Sequence, residues 1–196
     1  MQFTKKLIPA ALMAASLVLT MSAHGQGRPD SAALIAAQRA AMQPLAILDG
    51  IWRGPAWTIL PSGEKHNITQ TERMGSFLDG SVKVIEGRGY EADGRVSFNA
   101  FGTISYDPAT KAYTLHSYAM GQSGDFPIVP SADGYEWTIP AGPGTTIHYK
   151  ATVKDGVLHE VGDRVVVGKE PFRFFEMTLK RIGDTDWPAA GAVPMK

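Results

Sequence analysis

From Gly50 to about Ile182 apolar and polar residues alternate with a period of two, and turn chemistry interrupts the alternation every eight to fourteen residues. A period of two is the signature of a β-strand with one face buried. The candidate strands are Ile51–Leu60, Lys65–Arg73, Ser81–Tyr90, Val96–Tyr106, Ala112–Met120, Tyr135–Ile139, Thr145–Val153, Val157–Val166 and Phe172–Ile182. Between them stand "PSGE", "EADGR", "DPATK", "SADGY", "AGPG", "KDGV" and "VGKEP". Asp93-Gly94, Asp133-Gly134 and Asp155-Gly156 are hairpin signals, because glycine reaches the positive φ that tight turns need. A long run of hairpins is an up-and-down meander, and closing it into a barrel removes both exposed edges. The expectation is an all-β chain: a single antiparallel up-and-down barrel of about nine or ten strands.

Before the first strand, Asp30 and Ser31 can cap a helix that runs to about Gln43, where Pro44 stops it. Leu34, Ile35, Gln38, Ala41, Met42 and Leu45 recur at helical spacing, a stripe apolar apart from Gln38, so this short helix is suited to lie across a barrel mouth. Further upstream, Lys5 and Lys6 precede an apolar run from Leu7 to Thr20, and Ala23 and Gly25 are the small residues of a cleavage site. That order is a secretion signal, with cleavage near Gly25. The run is short for a membrane span and Pro9 interrupts it, so no membrane anchor is expected. Four segments follow: signal peptide 1–25, helix and lead-in 26–47, barrel 48–186, and a flexible tail 187–196. The expected location is periplasmic or secreted.

The full chain of 196 residues carries 19 basic and 19 acidic residues; without residues 1–25 the balance is −2. No basic excess exists to neutralise phosphates, so nucleic acid is not an expected partner. There is no cysteine, hence no disulfide, thiol chemistry or lipid attachment through cysteine.

Gly50-Ile51-Trp52 at the head of the first strand resembles the Gly-x-Trp signature of the calycins, the lipocalin-like barrels. Their last strand usually lays an arginine over that tryptophan. Here Phe175, Met177, Leu179 and Arg181 share one face, apolar until Arg181, which positions Arg181 to stack on Trp52 and to hydrogen-bond nearby carbonyls. The order "LDGIWRG", "YDPATKAYTLHSYAMG", "FFEMTLKRI", spanning Leu45 to Asp186, is similar to a group of secreted or cytosolic bacterial calycin-like barrels of unknown function. The resemblance implies a barrel and no activity. A neighbouring group, the nitrobindin-like haem barrels, opens similarly and ligates iron through a late-strand histidine. This chain has His159 in its penultimate strand and none in the last.

Barrels of this size either fill with side chains or hold one small ligand. Trp57, Phe98, Phe101, Tyr118, Trp137 and Phe174 are aromatic candidates for a lining. Strand parity puts His66, Ile68, Gln70 and Glu72 on one face, and Val82, Val84, Glu86, Arg88 and Tyr90 on another. Charge growing along a strand suits a barrel with a dry end and a polar mouth. Glu72, Glu86 and Arg88 would then either orient a ligand or pair with one another across strands. His116 shares a face with Thr114 and Tyr118, a string that fits a cavity lining and an outer surface equally. His148 is expected in solvent, His66 beside a turn and exposed, Glu176 outward with Thr178 and Lys180, and His159 either buried or exposed. "GQSGDFPIVP", Gly121 to Pro130, reads as a lid over the mouth or an ordinary crossing loop. Histidine spacing matches no metal motif, and neither metal nor cofactor is expected. The candidate ligand-binding residues are Trp57, Gln70, Glu72, Arg88, His116 and Tyr118, and the expected partner is a small, partly apolar molecule. Two further readings stay open: an enzyme pairing a cavity carboxylate such as Glu72 with His116, and haem bound through His116 or His159.

Overall fold

A computed structural model describes residues 30–185 and Trp187. The signal peptide with its cleavage near Gly25, and the tail beyond Trp187, lie outside the described residues. Ten strands form one ring: β1 Gly50–Ile59, β2 Lys65–Phe77, β3 Val82–Tyr90, β4 Val96–Asp107, β5 Ala112–Ala119, β6 Gln122–Pro130, β7 Gly134–Pro140, β8 Thr145–Lys154, β9 Val157–Val166 and β10 Phe172–Gly183. Every neighbour is antiparallel, and β10 returns to β1 with Trp52 opposite Arg181 and Ala56 opposite Met177. No edge is left for pairing with another chain.

The strand the sequence hid is β6. It occupies the segment read above as a lid or crossing loop. Its first half pairs with β5 (Leu115 opposite Phe126) and its second half with β7 (Ile128 opposite Trp137). The segment therefore belongs to the wall and covers nothing.

Asp30 caps α1 (Ser31–Met42); its carboxylate accepts from Ala32 N at 3.0 Å and Ala33 N at 3.4 Å. Pro44 ends the α-helix but not the helical path, which tightens into a 3-10 segment over Gln43–Leu48. That segment does the sealing: Leu45 and Leu48 are fully buried, whereas Leu34 and Ile35 of α1 remain exposed. Under them lie Trp52, Met74, Ile104, Leu158 and Leu179, the dry core at one end of the barrel.

Trp52 is only 1% exposed, and its indole N–H donates to Leu48 O at 2.8 Å. Arg181 takes the second role expected of it and not the first. Its guanidinium donates to Asp49 O at 3.0 and 3.2 Å and pairs with Asp184. No cation–π contact joins it to Trp52 among the described residues. The guanidinium crosses Gly50 instead, where a Cβ would stand 2.7 Å from Arg181 Nε. Glycine at position 50, with φ +149°, is what lets the arginine reach that carbonyl. Trp187 is also held: it packs on Phe77 and lies under Arg73 on the outside of β2, in a space Gly75 leaves open.

Candidate functional site

The other half of the barrel is hollow. A cavity of about 720 Å³ opens between the β1–β2, β3–β4, β5–β6, β7–β8 and β9–β10 turns, at the end away from Leu45 and Leu48. Its two sides differ in bulk. Inward positions on β3 to β6 carry small residues, among them Gly87, Ala100, Gly102, Ser117, Ala119 and Gly124. Across from them stands an aromatic wall. Trp137 stacks on Tyr149 with ring centres 4.4 Å apart and planes 11° apart, and Phe126, Phe174 and Phe175 meet this pair edgewise or at a tilt. The small side leaves the volume and the aromatic side gives it a flat apolar face.

Two carboxylates close the floor. Glu72 on β2 lies over Gly87, where a Cβ would be 2.7 Å from Glu72 Oε1, and Gln70 Nε2 donates to the same oxygen at 2.7 Å. Glu160 on β9 accepts from Trp137 Nε1 at 3.2 Å and from the Tyr135 hydroxyl at 3.4 Å, both on Oε1. Each glutamate is 7% exposed. Burial pushes Glu72 up to about 8, against the Gln70 hydrogen bond, and the charges of Glu160 and Glu86 raise it further. Burial likewise pushes Glu160 up to about 7, against its two hydrogen bonds. Burial and these carboxylates hold the Tyr135 phenol well above its usual range. Carboxyls poised near neutrality in a cavity can accept, donate or share a proton at physiological pH.

Of the six residues expected to bind ligand, the structure brings Gln70 and Glu72 together at the floor. Trp57 reaches the mouth, but its register is outward and Lys65 Nζ sits 4.0 Å from its ring centre. Arg88, His116 and Tyr118 face away from the cavity. Arg88 pairs with Glu86 on the outer surface of β3 at 2.5 Å. His116 pairs with Asp125 of β6 at 2.5 Å, its ring edge-on to the exposed Tyr118. The inward set on β5 is Leu115, Ser117 and Ala119. Glu72 and His116 therefore stand on opposite faces of the wall and form no acid/base pair. His159, bound to Glu176 at 3.0 Å, also lies outside, so neither histidine considered for haem faces the cavity. His148 is on the outer surface as expected, with Glu136. His66 departs from expectation: it lines the mouth and meets Glu91 at 3.0 Å.

Glu160 and Tyr135 join the floor without having stood out in the sequence. Glu160 shares a face with Leu158, and both stand beside the apolar face of β10 (Leu158 opposite Leu179, Glu160 opposite Met177). That apolar face was legible, so matching β9 to it would have turned Glu160 inward.

Comparison with known proteins bears on the fold. No protein-family model matches the chain, and no curated relative matches it. Among solved structures, the crystal structure of Rv2717c from M. tuberculosis is similar, with a TM-score of 0.55 at 13% identity over 72% of this chain and 97% of that one. The likeness is one of architecture.

Proposed function

We propose that this barrel binds one small, mainly apolar molecule in its interior and orients it by hydrogen bonds at the floor. One observation carries the reading: a cavity of about 720 Å³ with an aromatic wall, a small-residue wall and a few convergent polar groups. Pockets for small ligands have this size and this ratio of apolar lining to placed polar groups. The calycin resemblance of the opening Gly-x-Trp agrees with it. The Lys5-Lys6 and Leu7–Thr20 pattern supports export of the barrel, and Edman sequencing of the protein from its host tests this by starting near Gln26 or at Met1.

Titration with the neutral dye Nile red tests the binding reading. The expected result is saturable, one-to-one binding that is abolished when Ala100→Trp and Ser117→Trp fill the cavity, with the thermal midpoint retained. Binding that does not saturate, or that survives the filled cavity, overturns it.

A further inference from the structure

Resting on that reading, we infer that the cavity selects an organic cation: a flat apolar body bearing a protonated amine or amidine that reaches the two floor carboxylates. Three independent features converge. First, among the described residues the charged side chains lining the cavity are Glu72 and Glu160, with His66 at the mouth, and no described lysine or arginine lines it. Second, each glutamate uses a single oxygen. Gln70 donates to Oε1 of Glu72, and Tyr135 and Trp137 donate to Oε1 of Glu160. Oε2 of each accepts no hydrogen bond among the described residues, although both side chains are more than nine-tenths buried. Neither Oε2 is among the sealed, unpartnered side-chain atoms, and both residues line the cavity, so each offers an incoming N–H group an open acceptor in a setting where charge-assisted hydrogen bonds are strong. Third, the stacked Trp137–Tyr149 pair stands beside Glu160 and lines the cavity with aromatic surface, which holds a flat apolar body next to the carboxylates.

Among the described residues, the groups facing the floor add no positive charge. Gln70 is neutral. Tyr135 and Tyr149 are phenols held protonated. Glu86, on the outer face of β3, adds negative charge. The inward neighbours on β1 and β10, Ala56 and Met177, do not titrate. Lys83 faces inward on β3, but its ammonium is engaged by Asp49 and Ser76 at the closed end. A cationic ligand therefore favours the ionised carboxyls and displaces the protons that burial keeps there. Its binding releases protons and tightens as pH rises through 7 and 8, the values to which Glu160 and Glu72 are raised.

Three probes of one shape decide it: 2-naphthamidine, a cation; 2-naphthamide, its neutral isostere; and 2-naphthoate, an anion. Calorimetric titration of the full barrel is expected to rank them in that order, with the amidine roughly ten- to hundredfold tighter than the amide. Repeating the titration in buffers of different ionisation enthalpy reads the released protons, which accompany the amidine and not the amide. Glu72→Gln and Glu160→Gln each remove about tenfold of the amidine's advantage, read in each variant as the ratio of amidine to amide affinity. An amide as tight as the amidine overturns the inference while the binding reading stands. An amidine advantage that persists in the double glutamine variant places the charge recognition elsewhere and overturns it too. If none of the three binds, the inference fails, and Nile red decides separately whether the cavity takes a ligand. The proton-release measurement uses the unaltered protein, so it stands even if a variant does not fold.

Discussion

Lys83 at the closed end and Glu72 at the cavity floor both point inward and both are more than nine-tenths buried, yet only Lys83 meets an opposite charge. Its ammonium binds the Asp49 carboxylate and the Ser76 hydroxyl. The Asp49 carbonyl is in turn held by Arg181. Every partner there is supplied by the chain, packed under Leu45, Leu48 and Trp52. At the floor, Glu72 and Glu160 are supplied with neutral donors on one oxygen each and with space on the other side. Buried charge that the fold has answered is structural. Buried charge left unanswered beside a cavity is where a ligand has something to add.

Breaking the closed end should have the largest effect. Trp52→Ala removes the indole that fills this end and leaves Leu48 O without its donor, and is expected to destabilise the barrel by about 3–5 kcal/mol. Asp49→Ala comes next. It strands the Lys83 ammonium with only a hydroxyl, at a cost of about 2–3 kcal/mol, reduced from a fully buried pair because Asp49 is a third exposed. Lys83→Met should cost less than Asp49→Ala, since the carboxylate left behind still reaches water. Denaturant unfolding checks all three. A variant of Trp52 that unfolds like the wild type would show that the seal lies elsewhere.

The floor carboxylates should respond in the opposite sense. Their folded pKa values are raised to about 8 and about 7, above those of an unfolded chain, so the folded state binds the extra protons. Their contribution to stability is then fully present below about pH 4.5 and is lost as pH climbs through 7 and 8. A Glu72→Gln, Glu160→Gln double variant lacks this slope. Its stability relative to wild type should rise by roughly 2–4 kcal/mol between pH 4.5 and pH 9, whatever its absolute value. Thermal unfolding across that range measures it, and parallel profiles for the two proteins would mean that the carboxylates are solvated.

The same contrast decides what was legible. The closed end announces itself: Trp52, Leu158, Leu179 and Met177 are apolar and inward, and parity on β2 and β10 picks the correct face. Parity misleads where the barrel is hollow. On β3 the apolar-looking set, Val82 and Val84, faces outward, while Lys83, Ile85, Gly87 and Gly89 face in. Glycine and alanine are there to leave room, and alternation cannot tell a residue kept small for a ligand from one in solvent. The same ambiguity on β5 turned His116 and Tyr118 the wrong way. It also hid β6, whose inward set opens with the polar Gln122 and the small Gly124 and whose two prolines read as a loop. Glu72 was found because an apolar neighbour, Ile68, shares its face. Glu160 was missed because Val157 and Val161 made the other face of β9 look more buried.

The smallest expected effect sharpens the comparison from outside. The His116–Asp125 pair is short, but both partners reach water and neither touches the cavity. Surface ion pairs of this kind contribute little, because water already solvates both groups and ordering them costs side-chain entropy. His116→Ala should therefore change stability by no more than about 0.5 kcal/mol. Nile red affinity should stay within about twofold of wild type, since Ser117 and Leu115, and not His116, carry the lining on β5. Tenfold weaker dye binding by a stably folded His116→Ala protein would mean that the outer face of β5 is coupled to the interior, and the division between answered and unanswered charge would then have to be redrawn across the wall.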